Sequence, residues 1–165
     1  MAIIVEDGSG VPGANSFISD VDALNYLVDR WMHEAWTDQN NILVREGWLV
    51  QAADYLNALP WRYPQWRPDQ PMAFPQDGIV GVPDGVKVAQ VRLALLAKDG
   101  QLIPSVVAPT VLKETNKLDG VGEKTREYAR PPTNVPIYPF LDGLIGRLLQ
   151  ATPGTGVQSA RRLVG

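Results

Sequence analysis

The stretch that most constrains this chain runs Leu59-Pro60-Trp61-Arg62-Tyr63-Pro64-Gln65-Trp66-Arg67-Pro68 and on through Gln70-Pro71-Met72-Ala73-Phe74-Pro75. Proline at this density prevents a continuous helix or an interior strand, while Trp and Phe carry large apolar area that must be covered. Periodic apolar segments flank it on both sides between Asp38 and Asp99. The segment therefore reads as a fixed strap laid over two helices.

Those helices are readable from spacing. Upstream, Thr37 or Asp38 is suited to cap a helix in which Ile42, Leu49, Ala52, Ala53, Leu56 and Leu59 form one stripe, with Trp48 and Tyr55 at its margins and Pro60 at its end. Gly47 costs that helix about 1 kcal/mol relative to Ala, which a close helix contact would justify. Downstream, Pro83 or Asp84 opens a helix with Val82, Val86, Ala89, Leu93, Leu96 and Ala97 on one stripe. Val88, Val91, Ala94 and Leu95 make much of its remaining surface apolar, so it is expected to be central, with Lys98 and Gly100 as its stop.

The rest follows in order. Ile3 to Val5 and Ser16 to Ile18 are brief extended segments around Gly-rich turns, and Ser19 or Asp20 caps a first helix over Asp20 to Arg30. Val111 to Leu118 and Val121 to Tyr128 flank Asp119-Gly120, the signature of a two-residue hairpin turn. Its arms are charged on both faces, and a lone hairpin is marginal in water. We expect it to project and to be held by a neighbouring subunit through Lys113, Glu114, Lys117, Glu123, Lys124 and Arg126. After Pro131-Pro132 and Pro136, Phe140, Leu141, Leu144, Ile145, Leu148 and Leu149 mark a short last helix, followed by a flexible-looking end that carries Arg161-Arg162-Leu163-Val164.

The expected architecture is mainly α: a bundle of about four helices with a projecting β-hairpin and an extended C-terminal tail. It divides into a helical core with its strap at 1–104, the hairpin at 105–130 and the last helix with a docking tail at 131–165. A formal net charge of -3 gives no global attraction to nucleic acid. With no Cys there is no disulfide or thiolate chemistry, and one His, His33, cannot build a His-rich metal site. No apolar run approaches the ~20 residues of a membrane span, so neither secretion nor membrane insertion is expected.

Chemistry-bearing motifs are few. Gly120-Val121-Gly122-Glu123-Lys124-Thr125 has Glu123 where a phosphate loop needs Gly before the Lys. His33 beside Glu34 has no nucleophile or second His and reads as a helix-end residue; Asp20, Asp22, Glu6 and Asp7 read as caps and turns. We expect no enzyme, no cofactor and no metal. The best candidate for nucleic-acid contact is Trp61, Arg62, Trp66 and Arg67, because aromatic rings stack bases while guanidinium groups meet phosphates. A covering strap with Arg laid on Trp accounts for the same residues.

The opening Ile3-Ile4-Val5-Glu6-Asp7-Gly8, then Gly13-Ala14-Asn15-Ser16-Phe17-Ile18-Ser19, Ala52-Ala53-Asp54-Tyr55-Leu56, and Gln70 to Pro75 followed by Val82-Pro83 together resemble a group of tailed-phage proteins often labelled DnaT-like. Those proteins look like head-tail connectors, or adaptors. The resemblance implies a virion protein of the neck, assembled in the host cytoplasm as a ring of roughly twelve copies. Its partners would be itself, the portal protein, and the next neck or tail-completion protein, with genome DNA passing through the lumen. The Arg161-Arg162-Leu163-Val164 tail would dock on the portal. Phe74-Pro75-Gln76 departs from the Trp-Pro-Arg common among relatives, so no basic role passes to Gln76. The label implies the alternative, a module that binds single-stranded DNA.

Overall fold

The structure, a computed structural model, describes residues 2–100, 102, 113–118, 122–127 and 138–150. It is mainly helical. In chain order it has α1 (Asp20–Val28), α2 (Glu34–Thr37), α3 (Ile42–Asn57), α4 (Asp84–Ala97), β1 (Lys113–Leu118), β2 (Gly122–Glu127) and α5 (Phe140–Ile145), with a 3-10 turn at Gly146–Leu148.

Ser19 caps α1 as its sequence position predicts: its hydroxyl accepts from the Asp22 amide at 3.1 Å and donates to the Asp22 carboxylate at 2.6 Å. The helix stops two residues before the expected Arg30. The Met32 amide reaches back to the Leu27 carbonyl and the Trp31 amide to that of Val28, a Schellman closure with Trp31 at φ 56° in the position that Gly usually takes.

The expected Thr37 or Asp38 cap for the next helix is wrong. Glu34–Thr37 forms its own turn, and α3 starts later, with the Asn41 side chain accepting from the Leu43 amide at 3.0 Å. Trp36 explains the break. It is fully buried, its Nε1 donates to Asp20 Oδ1 at 3.0 Å, and its ring meets Trp48 edge-on at 5.7 Å. Arg45 on α3 closes the same carboxylate from its other side, with Nη2 at 2.8 Å from Oδ2. Asp20 is thus a buried ion-pair partner more than a helix-end charge.

The stripe on α3 also shifts. Ile42 is 49% exposed because the first turn overhangs the core, whereas Trp48 and Tyr55, placed at the margins by spacing, are buried with Leu49, Ala52, Ala53 and Leu56. The helix ends at Asn57, short of Pro60. Gly47 has no atom within 4 Å of where a Cβ would sit, so no close helix contact accounts for it.

Helix α4 is central as expected, packed on α3 and on α5. Val86, Ala89, Val91, Leu93, Ala94 and Ala97 are buried, although Leu96, placed on the inner stripe by spacing, is exposed. Gly85 sits against the Leu144 carbonyl of α5, where a Cβ would clash. At the centre, Gln90 accepts from the Phe17 amide at 2.9 Å and donates to Ser16 Oγ at 2.7 Å and the Leu49 carbonyl at 2.9 Å. One side chain therefore ties the N-terminal loop to both long helices. That loop is the expected pair of brief extended segments, bridged between Val5 and Ser16 and folded around the buried Glu6 carboxylate, which accepts from the Gly8, Gly10 and Val11 amides.

Strands β1 and β2 form an antiparallel pair in which Lys113 faces Glu127, Glu114 faces Arg126, Lys117 faces Glu123 and Leu118 faces Gly122. Three residues therefore separate the strands, not the two expected from Asp119-Gly120. A two-residue connection would set Lys113 opposite Arg126, whereas in the observed register Lys113 pairs with Glu127.

Candidate nucleic-acid interface

The strap is built by amides that answer its own carbonyls. Proline supplies no N–H, so side chains substitute: Gln65 Nε2 donates to the Gln70 and Met72 carbonyls, and Gln70 Nε2 to those of Met72 and Pro75. Gln70 Oε1 accepts from the Arg67 amide, and Asn57 Oδ1 from the Ala73 amide at 2.8 Å, which pins the strap to α3. Backbone bonds from Trp66 to Pro75 and from Asp77 to Pro64, each 3.0 Å, close it into a narrow loop.

Its aromatics divide between two faces. Phe74 is fully buried and meets Phe17 edge-on, while Trp61 packs edge-on against Phe74 at 4.8 Å and donates its Nε1 to the Leu56 carbonyl at 2.9 Å. Trp61 is also bridged to Leu149, and the Arg62 amide reaches the Leu148 carbonyl, so this part of the strap fastens the end of α3 to the C-terminal turn. Residues 62–69 are all exposed. There Arg67 lies 4.6 Å from the centre of the Trp66 ring and Arg62 5.5 Å from that of Tyr63. Trp66 still keeps 51% of its surface open. Among the described residues neither arginine has a carboxylate partner.

Of the four predicted contact residues, Arg62, Trp66 and Arg67 thus lie in the exposed run of the strap. Trp61 belongs to the core, and Tyr63 takes its place outside. Two hollows adjoin this surface. One, of about 350 Å³, is lined by Trp66, Pro75, Gln76, Ile79 and the glycine backbone of Gly8 and Gly81. The other, of about 240 Å³, is lined by Tyr63, Trp61, Gln65 and again Gln76.

A larger apolar groove of about 860 Å³ lies elsewhere, between Trp31, Met32, Leu95, Leu96, Tyr138 and Phe140. Sequence spacing gave no hint of it: Trp31 follows the expected first helix and is 88% exposed. Its charges balance, with Glu34 and Asp99 against Arg92 and Lys98.

The remaining sequence candidates separate. Glu123, Lys124 and Thr125 lie within β2, away from any strand-to-helix turn of the kind that holds phosphate. Lys113, Glu114, Lys117 and Arg126 lie on the paired strands, whereas Arg161, Arg162, Leu163 and Val164 lie outside the described residues. His33 is the residue before α2, half-buried. Among the described residues no group of three His, Cys, Asp or Glu is placed to hold a metal, and no helix is long and apolar enough to cross a membrane.

Residues 1–163 match the model of a family described as "Putative DnaT-like ssDNA binding protein". The chain belongs to that family. The match spans the core, the strap and both strands. Its description names single-stranded DNA and no place in a virion neck. No curated protein and no solved structure matches the chain.

Proposed function

We propose that the protein binds single-stranded DNA through the outer face of its strap, with Trp66 and Tyr63 stacking on bases while Arg67 and Arg62 meet the backbone. The observation that carries this reading is the pairing of each exposed ring with a guanidinium that has no carboxylate partner among the described residues. Stacking accepts any base, and two cations on a chain of net charge -3 concentrate the attraction at one place. Replacing Trp66 with Ala removes one stacking platform worth about 1–3 kcal/mol. Affinity for an oligothymidylate, measured by fluorescence anisotropy, is then expected to fall roughly 5- to 150-fold. An unchanged affinity refutes the assignment.

A second reading, the neck adaptor, draws support from two other features. A two-stranded sheet with no further strand joined to it among the described residues is of marginal stability alone, and the apolar groove at Trp31 is the kind of surface that a partner subunit covers. In this reading the protein forms a ring at the portal through the β1–β2 hairpin. Deleting Lys113 to Arg126 then abolishes assembly and leaves the helices folded; a native mass measurement showing an unchanged oligomer removes the hairpin from the interface.

A further inference from the structure

Several glutamines meet the core or the strap of this protein, and most use their side-chain amides there. Gln65, Gln70 and Gln90 each use their amides on named carbonyls, amides or hydroxyls. Gln76 is the exception. It is only 2% exposed, yet its Oε1 is closed to solvent and has no hydrogen-bond donor. A buried acceptor left unmet costs stability and is rare in folded proteins.

Its position gives that cost a use. Gln76 lines both hollows beside the strap, so it stands between the pocket at Trp66 and the pocket at Tyr63. Part of the lining of the first pocket is glycine backbone: Gly8, at φ 102°, lies so close to Gly81 that a Cβ on Gly8 would overlap the Gly81 Cα. A slot with glycine backbone and a tryptophan ring in its lining suits a flat, planar group. Resting on the single-stranded DNA reading above, we propose that Gln76 reads the base, its Oε1 accepting from the Watson–Crick N–H edge of an unstacked nucleobase that enters beside Trp66.

The chemistry makes this a sensor of unpaired bases. Each of the four bases carries at least one N–H on its pairing edge, and in a duplex that N–H is already engaged. An acceptor that meets the pairing edge of a base in this hollow therefore discriminates single strand from duplex without strong preference among the bases.

The test pairs Gln76→Met, which keeps length and volume but removes the amide, with oligothymidylate and the same oligomer built from N3-methylthymidine, which lacks the pairing N–H. The variant is expected to unfold at the same temperature or higher, since an unmet acceptor is gone, while its affinity for oligothymidylate falls about five- to tenfold. The wild-type protein should lose a similar factor on the methylated oligomer, and the variant should bind both oligomers equally. Equal binding of oligothymidylate by variant and wild type, or equal binding of both oligomers by the wild type, overturns the assignment. If Trp66→Ala weakens binding while Gln76→Met does not, only the role of Gln76 falls. If the wild type binds no oligothymidylate at all, the nucleic-acid reading fails and takes this one with it.

Discussion

Replacing Gln90 with Leu should be among the most damaging single changes to this fold, and its size can be worked from three bonds. Leucine fills a similar volume, so no large cavity forms, and its apolar surface suits the fully buried site. What is lost is the acceptor for the Phe17 amide and the donor to Ser16 Oγ and the Leu49 carbonyl. Ser16 retains its own donation to the Ile18 carbonyl, so its hydroxyl is weakened rather than orphaned. The Phe17 amide, which bonds to Gln90 Oε1, then bears a desolvation penalty of about 1–3 kcal/mol. Two further lost bonds at about 1 kcal/mol each, less the gain from burying leucine, bring the net loss to about 3 kcal/mol. Urea unfolding should show a lower midpoint with an unchanged slope, and the melting temperature should fall by roughly 6–12 °C. Amide exchange at Phe17 should quicken more than exchange in the middle of α4. A loss below about 1 kcal/mol would refute the view that this side chain fastens the N-terminal loop to the helices.

Two further outcomes are expected. Gly47→Ala in the interior of α3, where a Cβ has no atom within 4 Å, should stabilise the protein by about 0.5–1 kcal/mol in the same urea assay. Burial, with a smaller contribution from Tyr138, pushes the Tyr55 phenol from its ordinary value of 10.0 up to about 12. The folded state thus holds this proton more tightly than the unfolded one, so the contribution is complete below pH 10.0 and is lost as pH rises towards about 12. Urea midpoints should decline across that window, and less steeply in Tyr55→Phe.

The parts of this fold that the sequence announces are those fixed by local chemistry. Ser19 caps α1, Asp84 opens α4, and the 3.6-residue spacing of Val86, Ala89 and Leu93 marks the inner face. Failures come where tertiary contacts decide. The expected cap at Thr37 or Asp38 fails because Glu34–Thr37 forms its own turn, in which Trp36 gives its indole N–H to Asp20, sixteen residues away. Ile42 and Leu96 have the right spacing for burial but are exposed, Leu96 on the edge of the groove at Trp31. In the hairpin, Asp119-Gly120 predicts a two-residue turn, whereas the observed register leaves three residues between the strands. Within the strap, the division of labour between Trp61 and Trp66 depends on which indole finds a carbonyl. The unmet acceptor on Gln76 is a property of its surroundings, and no pattern in the chain foreshadows it.

The most direct test of the proposed function is the salt dependence of oligothymidylate binding. If Arg62 and Arg67 are the two cations that meet phosphates, the logarithm of the affinity should fall against the logarithm of salt with a slope of about -1.4, or about 0.7 for each. Arg67→Gln should reduce the slope to about -0.7, and the double replacement of Arg62 and Arg67 should bring it close to zero. Absence of binding at low salt, or a slope that the double replacement leaves untouched, would contradict the assignment of single-stranded DNA to this face.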